Sequence, residues 1–310
     1  MKSVTVRGFA KINLFLDVTG RRADGYHLVN MVMQSLDLHD TLRIERTGRP
    51  GKSRLEIRDP DGRFSGLEDD ERNLVLRAEK ALRERYSEKI PQEEGLHFTL
   101  EKNIPMGAGL AGGSADAAAA LIGLDRLFSL GLSDQEIAEA GLSLGADIPY
   151  CLTGGTMRSQ GIGEILTPLP KLPDCTVLLV KPQGSASTKE IYTALDGGEI
   201  LHPSWETFSE VLGAGDLQGV AGLLSNVLEP VTAPMIPDID VIRRELLAAG
   251  ALGARMTGSG SVVFGIFAEE EAAAGAQEKL REGHPEWDIR TARPITLDTV
   301  RAHRFAEEGE

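Results

Sequence analysis

The segment that most constrains the fold of this chain is a glycine-rich loop that runs directly into an alanine-rich tract, PMGAGLAGGSADAAAA, at residues 105–120. Glycine has no Cβ, so these positions can take positive φ angles and approach a ligand closely. A helix that begins after such a loop presents unpaired N–H groups and the positive end of its dipole, which together favour an anion. The segment therefore predicts a phosphate-binding loop at the start of a helix.

The same loop does not match the two commonest nucleotide-binding motifs. It lacks the Gly-Lys-Ser/Thr ending of a P-loop, and it does not fit Gly-x-Gly-x-x-Gly followed by an acidic residue after a second strand. A single Gly-x-Gly could equally be an ordinary turn between a strand and a helix. Four glycines within seven positions, followed by Ser114 and an uninterrupted helical tract, favour the phosphate site.

Bulk properties limit the class of protein. A chain of 310 residues with 41% hydrophobic and 26% charged residues is typical of a globular protein of two domains. The formal charge of −14 argues against a nucleic-acid partner. The chain shows neither a leader sequence nor an apolar run long enough to cross a bilayer, so we expect a cytoplasmic protein with no membrane partner. Monomer and homodimer both remain open.

No protein-ligated metal site is expected. The six histidines are scattered without ligand spacing, and the two cysteines do not form a metal-binding framework.

Hydrophobic patterning predicts an α+β protein. Alternation over residues 4–18 predicts a strand with two faces. One face is expected to carry Ile12, Leu14, Leu16 and Val18, and the other Lys11, Asn13 and Phe15. Further strands are predicted over residues 96–101, 175–181, 261–267 and 289–292, and helices over residues 73–86, 189–195, 205–212, 217–224, 238–249 and 269–282, with another helix beginning at Ser133.

Three prolines, Pro168, Pro170 and Pro173, mark a connection between the two halves of the chain. We expect an N-terminal domain over residues 1–160, a C-terminal domain over residues 161–310 and a disordered tail at residues 307–310.

Three segments in this order resemble the three motifs of the GHMP kinases, the superfamily of galactokinase, homoserine kinase and mevalonate kinase. They are AKIN at residues 10–13, the glycine loop, and MTGSG at residues 256–260. The resemblance covers nearly the whole chain. It implies a two-domain α+β GHMP kinase fold with the active site in the cleft between the domains.

Two more segments narrow the resemblance, TGRRADGYH at residues 19–27 and GADIP at residues 145–149. They are similar to the branch of the superfamily whose alcohol substrate carries a cytidine diphosphate group. The resemblance therefore implies that ATP phosphorylates a hydroxyl group of such a small molecule.

The resemblance also assigns the catalytic pair. Asp147 matches the catalytic aspartate, which would accept the proton of the attacking hydroxyl. Lys11 matches the catalytic lysine, which would lie near Asp147 and offset charge on the moving phosphoryl group. Taken alone, Asp147 could be a turn former and Lys11 a solvated residue on a strand. We expect Asp147 to lie in a non-helical loop, because Pro149 disfavours helical geometry at Ile148.

The implied substrate pocket is built around the cytosine. Tyr26 and His27 match the pyrimidine-binding pair, in which the ring stacks and the imidazole bonds the edge of the base. Asn13 and Asp147 match substrate-contacting positions. Thr188 and Tyr192 match positions that complete the pocket, with Tyr192 as the second aromatic across the base.

The implied ATP site is the glycine loop, with Mg²⁺ bridging phosphate oxygens rather than held in a protein cage. Its residues would be Pro105, Met106, Gly107, Ala108, Gly109, Leu110, Ala111, Gly112, Gly113, Ser114 and Ala115. Asn73 matches an element near the nucleotide, although an Asn that opens a helix is more often a cap. Ala115 stands where many relatives carry a second serine.

Three alternatives remain open at this point. The chain could be another small-molecule kinase of the same superfamily, such as a homoserine or mevalonate kinase. It could be a ligand-binding protein that kept the fold and lost catalysis, although Lys11 and Asp147 are both present. It could also be a decarboxylase built on this fold.

Overall fold

A computed structural model describes residues 1–59, 62 and 68–306 of the chain. Its strands are β1 (Ser3–Arg21), β2 (His27–Pro50), β3 (Arg54–Arg58), β4 (Glu94–Glu101), β5 (Thr156–Gly161), β6 (Ile165–Pro168), β7 (Thr176–Lys181), β8 (Ser225–Asn226), β9 (Gly253–Met256), β10 (Val263–Phe267) and β11 (Asp288–Ala292). Its helices are α1 (Leu74–Arg85), α2 (Gly112–Phe128), α3 (Asp134–Leu142), α4 (Ile148–Thr153), α5 (Thr188–Leu195), α6 (Trp205–Gly213), α7 (Leu217–Gly222), α8 (Glu229–Thr232), α9 (Asp238–Ala248), α10 (Glu270–Gly283) and α11 (Leu297–His303).

The strands form two sheets. The first has the order β3-β4-β2-β1-β8, and β5 joins it by pairing with β2 and β6. The second has the order β11-β7-β10-β9, and all its pairs are antiparallel. Helices pack against both sheets, which confirms the predicted α+β class.

The β1–β2 pair is the longest ladder of the molecule, and it runs from Ser3 opposite Glu45 to Arg21 opposite His27. Its register shifts between Phe9 and Lys11 and again between Asn13 and Phe15. β-Bulges of this kind bend a strand and redirect its side chains. The two shifts flank the short segment that carries Lys11 and Asn13.

These shifts make the predicted strand faces wrong. Ile12 and Leu14 pack in one core cluster together with Phe15, whereas Leu16 and Val18 pack in another. Strict alternation holds only while the register is constant, so an irregularity after Asn13 moves the later residues to other neighbours.

Most predicted helices are confirmed, and their caps explain where they begin. Asn73 precedes α1 and accepts a hydrogen bond from the Val75 N–H at 2.9 Å. Ser133 and Glu136 form the predicted capping box of α3. Helix α7 ends at Gly222, two residues before the predicted end.

Helix α2 lies close against β1 and β2 because glycines leave room for it. A Cβ at Gly8 would lie 2.5 Å from the carbonyl oxygen of Ala115. A Cβ at Gly123 would lie 2.6 Å from Ile44 Cδ1. The close approach places the N-terminus of α2, and the glycine loop that precedes it, next to β1.

Several elements were not predicted from the sequence. They include β5, β6 and α11, and the end of the described chain returns to the first sheet. There Arg7 N–H donates to the Arg304 carbonyl at 2.8 Å, and Phe305 bridges to Val6. The tail predicted over residues 307–310 lies outside the described residues.

The predicted division between residues 160 and 161 stays a prediction. It falls at the end of β5, whereas the chain passes from the first sheet to the second across residues 169–175. Within the described ranges, no helix combines the length and the apolar character that a membrane span requires.

A buried group of three charged residues ties β2, β4 and α2 together below the glycine loop. Lys102 Nζ contacts the carboxylate of Asp40 and lies 2.7 Å from Asp116 Oδ2. Asp40 also accepts the N–H of Ile104 at 2.8 Å. Burial and the charge of Asp40 raise the pKa of Asp116, which makes its ionised form less stable than in water. Burial lowers the pKa of Lys102, but the two carboxylates outweigh it and raise that pKa overall.

We predict that removing the cation, Lys102, destabilises the protein more than removing the charge of Asp116. Lys102→Met leaves buried carboxyl groups without a cation, and it should lower the free energy of unfolding by about 3 kcal/mol. Asp116→Asn keeps the size of the side chain and an oxygen that can accept from Lys102, while Asp40 still supplies a counter-charge, so it should cost about 1 kcal/mol or less. Urea unfolding at pH 7 measures both, and an equal loss in the two variants would show that Lys102 needs the charge of Asp116.

Candidate active site

A cavity of about 1180 Å³ lies between the first sheet, the glycine loop and helix α5. It brings together residues that are far apart in the sequence. Those named from the sequence that line it are Lys11, Asn13, Tyr26, His27, Asn73, Asp147, Thr188 and Tyr192, with every residue of the glycine loop from Pro105 to Ser114.

The glycine loop turns sharply before α2. Gly107 and Gly109 take φ angles of 58° and 74°, and Ala111 takes 59°. No side chain caps the N-terminus of α2, so its first N–H groups stay available to a ligand at the cavity wall. Such donors at the positive end of a helix dipole suit the phosphates of a nucleotide.

Gly112 and Gly113 do not take positive φ angles, because they are already the first residues of α2. Gly112 is needed for space: a Cβ there would lie 3.1 Å from Ile104 Cγ2 and 3.4 Å from Lys102 Nζ. Gly113 is less restricted, since its nearest neighbour would be Leu74 Cδ1 at 3.6 Å.

The glycine loop touches the second glycine turn, residues 257–260, at the cavity. A Cβ at Gly109 would overlap the carbonyl oxygen of Thr257, and a Cβ at Gly258 would lie 3.0 Å from Gly109 Cα. Both glycines also have positive φ angles. This backbone contact joins the loop of the first half to the turn between β9 and β10.

Lys11 lies at this junction with its side chain only 4% exposed. Its Nζ donates to Asn13 Oδ1 at 2.7 Å and to the Gly109 carbonyl at 2.9 Å. An ammonium group has three donors, so one is left over. The carboxylate of Asp147 lies 3.9 Å away, as the resemblance implies.

Asn13 is fully buried behind Lys11. Its Oδ1 also accepts the Gly258 N–H at 3.0 Å, and its own N–H donates to Thr257 Oγ1 at 3.0 Å. The side chain therefore holds Lys11 and the second glycine turn in place. A direct contact between Asn13 and a substrate stays a prediction.

Asp147 corrects one expectation. It precedes α4 with helical backbone angles, φ −81° and ψ −12°, rather than lying in a non-helical loop. Pro149 falls in the first turn of α4, where its missing N–H costs no helical hydrogen bond. The carboxylate makes no capping bond, and its side chain is 35% exposed, so it is open to the cavity.

Another part of the cavity wall, which we call its aromatic end, is lined by rings. The rings of His27 and Tyr192 lie 4.8 Å apart with an interplanar angle of 37°. Burial raises the pKa of Tyr192, so its hydroxyl stays protonated. Tyr26 is 58% exposed, which excludes a role as a core aromatic. A stack of one base between Tyr26 and Tyr192 stays a prediction.

Thr188 is the first residue of α5, and both Thr188 and Tyr192 line the cavity. The Thr188 hydroxyl lies 2.8 Å from Ser259 Oγ, in the second glycine turn. Helix α5 is therefore tied to the same turn that contacts the glycine loop.

Ala115 is not among the residues that line the cavity, and its contact with ATP stays a prediction. Its side chain is fully buried in a core cluster, and its N–H donates to the Ala111 carbonyl at 2.9 Å within α2. Asn73 lines the cavity but serves as the cap of α1, and its amide also donates to the Glu68 carbonyl at 2.8 Å. Any contact between Asn73 and ATP stays a prediction.

Sequence reasoning missed several cavity residues. Among them are Arg21, Lys102, Asp116, Asp196 and Ser259. Arg21 and Ser259 lie inside segments that the motif comparison had already singled out, so a residue-by-residue reading of those segments could have found them. Asp116 lies inside the glycine-loop segment 105–120, so the same reading could have found it. Lys102 and Asp196 have no local motif, and only their partners in the fold reveal them.

Comparisons with known proteins agree with this geometry. Residues 73–155 match the family model described as GHMP kinases N terminal domain, and residues 201–286 match the one described as GHMP kinases C terminal. A 4-diphosphocytidyl-2-C-methyl-D-erythritol kinase of Lachnospira eligens is 43% identical over 283 residues, which cover 91% of this chain and 95% of that protein. The chain belongs to this kinase family.

A second relative supports the same assignment to the 4-diphosphocytidyl-2-C-methyl-D-erythritol kinases. The protein of that name from Acetivibrio thermocellus is 42% identical over 289 residues, covering 93% of this chain and 98% of that protein. A crystal structure of 4-(cytidine 5'-diphospho)-2C-methyl-D-erythritol kinase superposes with a TM-score of 0.73 at 31% identity, covering 94% of this chain and 98% of that one.

More distant kinases share the fold. Homoserine kinase from Cytophaga hutchinsonii matches with a TM-score of 0.73 at 20% identity, covering 96% of each chain. At this identity the likeness shows the GHMP kinase fold alone. The fold therefore does not choose among the kinases of the superfamily, and the choice depends on the residues of the cavity.

We predict that Gly109 and Gly113 differ sharply in tolerance to alanine. Gly109→Ala should lower the free energy of unfolding by about 2–4 kcal/mol, because the methyl group meets the Thr257 backbone at a positive φ angle. Gly113→Ala adds a methyl group with ordinary contacts inside a helix, so its stability should stay within about 1 kcal/mol of wild type. Thermal and urea unfolding compare the two, and a stable Gly109→Ala protein would show that the two turns are not in contact.

Proposed function

We propose that this chain transfers the γ-phosphoryl group of ATP to the 2-hydroxyl of 4-diphosphocytidyl-2-C-methyl-D-erythritol, a step of the non-mevalonate pathway to isoprenoid precursors. The observation that carries the proposal is that three kinds of group line one cavity. We take the α2 N-terminus as its donor end, the His27–Tyr192 pair as its acceptor end, and Lys11 with Asp147 as the reacting centre.

The donor end suits ATP. The uncapped N–H groups of α2 can bind phosphate oxygens, and the turn formed by Gly107 and Gly109 lets the backbone approach them. Within the described residues, no group of three or more acidic, histidine or cysteine side chains could hold a metal ion. We propose that Mg²⁺ enters bound to ATP, where it would neutralise charge on the phosphates. Ser114 is the hydroxyl at the cavity wall that could meet a phosphate oxygen or the ion.

The reacting centre needs a group that receives the hydroxyl proton and a cation near the transferred phosphoryl group. Asp147 supplies the carboxylate, and its open side chain can reach a bound alcohol. Lys11 supplies the cation, and two fixed hydrogen bonds hold its ammonium group. A fixed cation needs no reorganisation when charge moves, which favours the transition state.

The acceptor end suits a pyrimidine. An exposed Tyr26 ring can stack on a base, and the His27–Tyr192 pair provides a second flat surface with a hydrogen-bonding edge.

The expected cytoplasmic location also stays a prediction.

A substrate panel tests the function directly. Purified protein with ATP and Mg²⁺ should phosphorylate 4-diphosphocytidyl-2-C-methyl-D-erythritol, and it should show no comparable turnover of mevalonate or homoserine. Release of carbon dioxide from diphosphorylated mevalonate is expected to be absent. Comparable turnover of one of the other substrates, or gas release, would overturn the assignment.

Replacing Asp147 separates chemistry from binding. Asp147→Asn removes the proton acceptor while keeping the size of the side chain, so kcat should fall by about 10²–10⁴-fold. The KM for ATP should change little, because the proposed phosphate contacts are backbone N–H groups of α2 and not the Asp147 carboxylate. Steady-state phosphoryl-transfer kinetics measure both constants. The neighbouring cavity residue Ile162 offers a matched control, since Ile162→Val alters the lining without removing a polar group. A kcat near the wild-type value in Asp147→Asn would show that the base is another group.

A further inference from the structure

Asp196 connects the end of α5 to the β1–β2 hairpin, through Arg21 and His27. It follows the last residue of α5, and its Oδ1 lies 2.7 Å from His27 Nε2. Its other oxygen, Oδ2, lies 2.9 Å from Arg21 Nη1. The hydrogen bond to His27 lowers the pKa of Asp196, and the nearby charge of Arg21 acts in the same direction. Both oxygens of this carboxylate are therefore occupied, and the group is ionised at neutral pH.

An ionised carboxylate can only accept hydrogen bonds. The 2.7 Å contact therefore requires that His27 Nε2 carries a proton. In a neutral imidazole, the other nitrogen, Nδ1, then has a lone pair and acts as an acceptor. In the part of the chain that the structure describes, Nδ1 of His27 makes no hydrogen bond, and His27 lines the cavity.

The groups around His27 also restrict the position of its ring. Tyr192 of α5 packs on the ring with centroids 4.8 Å apart. Arg21 forms an ion pair with Asp196, whose carboxylate contacts His27 Nε2. Tyr26 and Lys189 also line the cavity. The charged and titratable groups at this end thus come from β1, β2, the turn between them, and α5. They hold the imidazole from one edge and one face.

Cytosine and uracil differ at the group that an acceptor would meet. Cytosine carries an exocyclic amino group, which donates, whereas uracil carries a carbonyl oxygen at that position, which accepts. A nitrogen with a lone pair can bind the amino group but repels the carbonyl oxygen. A site built around one polar partner rejects the analogue that cannot supply it.

We propose that Asp196 is a positioning residue that sets the preference of this site for cytosine over uracil. By keeping the proton of His27 on Nε2, it leaves Nδ1 as the acceptor for the amino group of the base. The inference rests on the proposed function, because it takes the aromatic end of the cavity to be the base pocket. A purely structural ion pair between α5 and the hairpin is the competing role, and it would leave base preference unchanged.

Binding of the two nucleotides CDP and UDP tests the preference without depending on catalysis. Calorimetric titration should show that the wild-type protein prefers CDP. Asp196→Ala should weaken CDP binding by about three- to tenfold and leave UDP binding almost unchanged, because the hydrogen bond from the base to His27 is absent in the tautomer that carries its proton on Nδ1 and is weakened where the ring is free to turn. Glu190→Ala is the matched control: Glu190 lies in the first turn of the same helix and carries the same charge, and its variant should keep the wild-type ratio.

The outcomes separate this inference from the proposed function. A wild-type protein that binds CDP and UDP equally would overturn the cytidine specificity itself and, with it, the inference. A wild-type protein that prefers CDP, together with an Asp196→Ala variant that keeps the same ratio, would overturn the inference alone. In turnover assays, Asp196→Ala should raise KM for the cytidine substrate and leave KM for ATP at its wild-type value.

A spectroscopic measurement reads the tautomer directly. Nitrogen-15 spectra of the full-length protein, with the His27 signals assigned from a His27→Asn variant, should show the proton on Nε2 in the wild type. Asp196→Ala should convert this to a mixture of tautomers. A wild-type His27 with its proton on Nδ1 would overturn the inference, whether or not the variant remains fully stable.

Discussion

The contact between two glycine turns is the constraint on which the rest of this site depends. Gly109 and the Thr257–Gly258 backbone lie so close that a side chain at Gly109 would overlap its neighbour. The carbonyl of Gly109 then accepts from Lys11, and Asn13 links Lys11 to the Gly258 N–H. The predicted phosphate loop, the cation of Lys11 and a turn from the other half of the chain are thereby held as one unit. Preorganised charges of this kind favour catalysis because they need not move during the reaction.

The two ends of the cavity have different tasks, and different parts of the chain build them. The donor end is mostly backbone, with N–H groups of α2 and a turn that glycines permit. Such a site recognises phosphate well but distinguishes little else. The acceptor end is made of side chains from β1, β2 and α5, where His27, Tyr192 and Asp196 contact one another. Under the proposed function, choice of substrate rests at the acceptor end, while kinases with other substrates share the fold.

Much of this arrangement could be predicted from the sequence, because local patterns carry it. The glycine loop before α2, the capping box of α3 and the pairing of Lys11 with Asp147 all follow from short motifs. The β-bulge after Asn13 could not be predicted, since a register shift depends on the partner strand rather than on local alternation. Ala115 lies inside the motif, yet its burial follows from the packing of α2 on β1. Asp196 has no motif at all, and only the fold brings it to His27 across 169 positions of sequence.

The central claim is that one cavity holds ATP and a cytidine diphosphate alcohol at opposite ends, with Lys11 and Asp147 at the reacting centre. A crystal structure of the protein with a non-hydrolysable ATP analogue and the cytidine substrate tests it most directly. We expect the phosphates of the analogue at the N-terminus of α2, the cytosine against Tyr26 and His27, and the acceptor hydroxyl within hydrogen-bond distance of the Asp147 carboxylate. Cytosine bound at the glycine loop, or an acceptor hydroxyl out of reach of Asp147 with both ligands bound, would contradict the account.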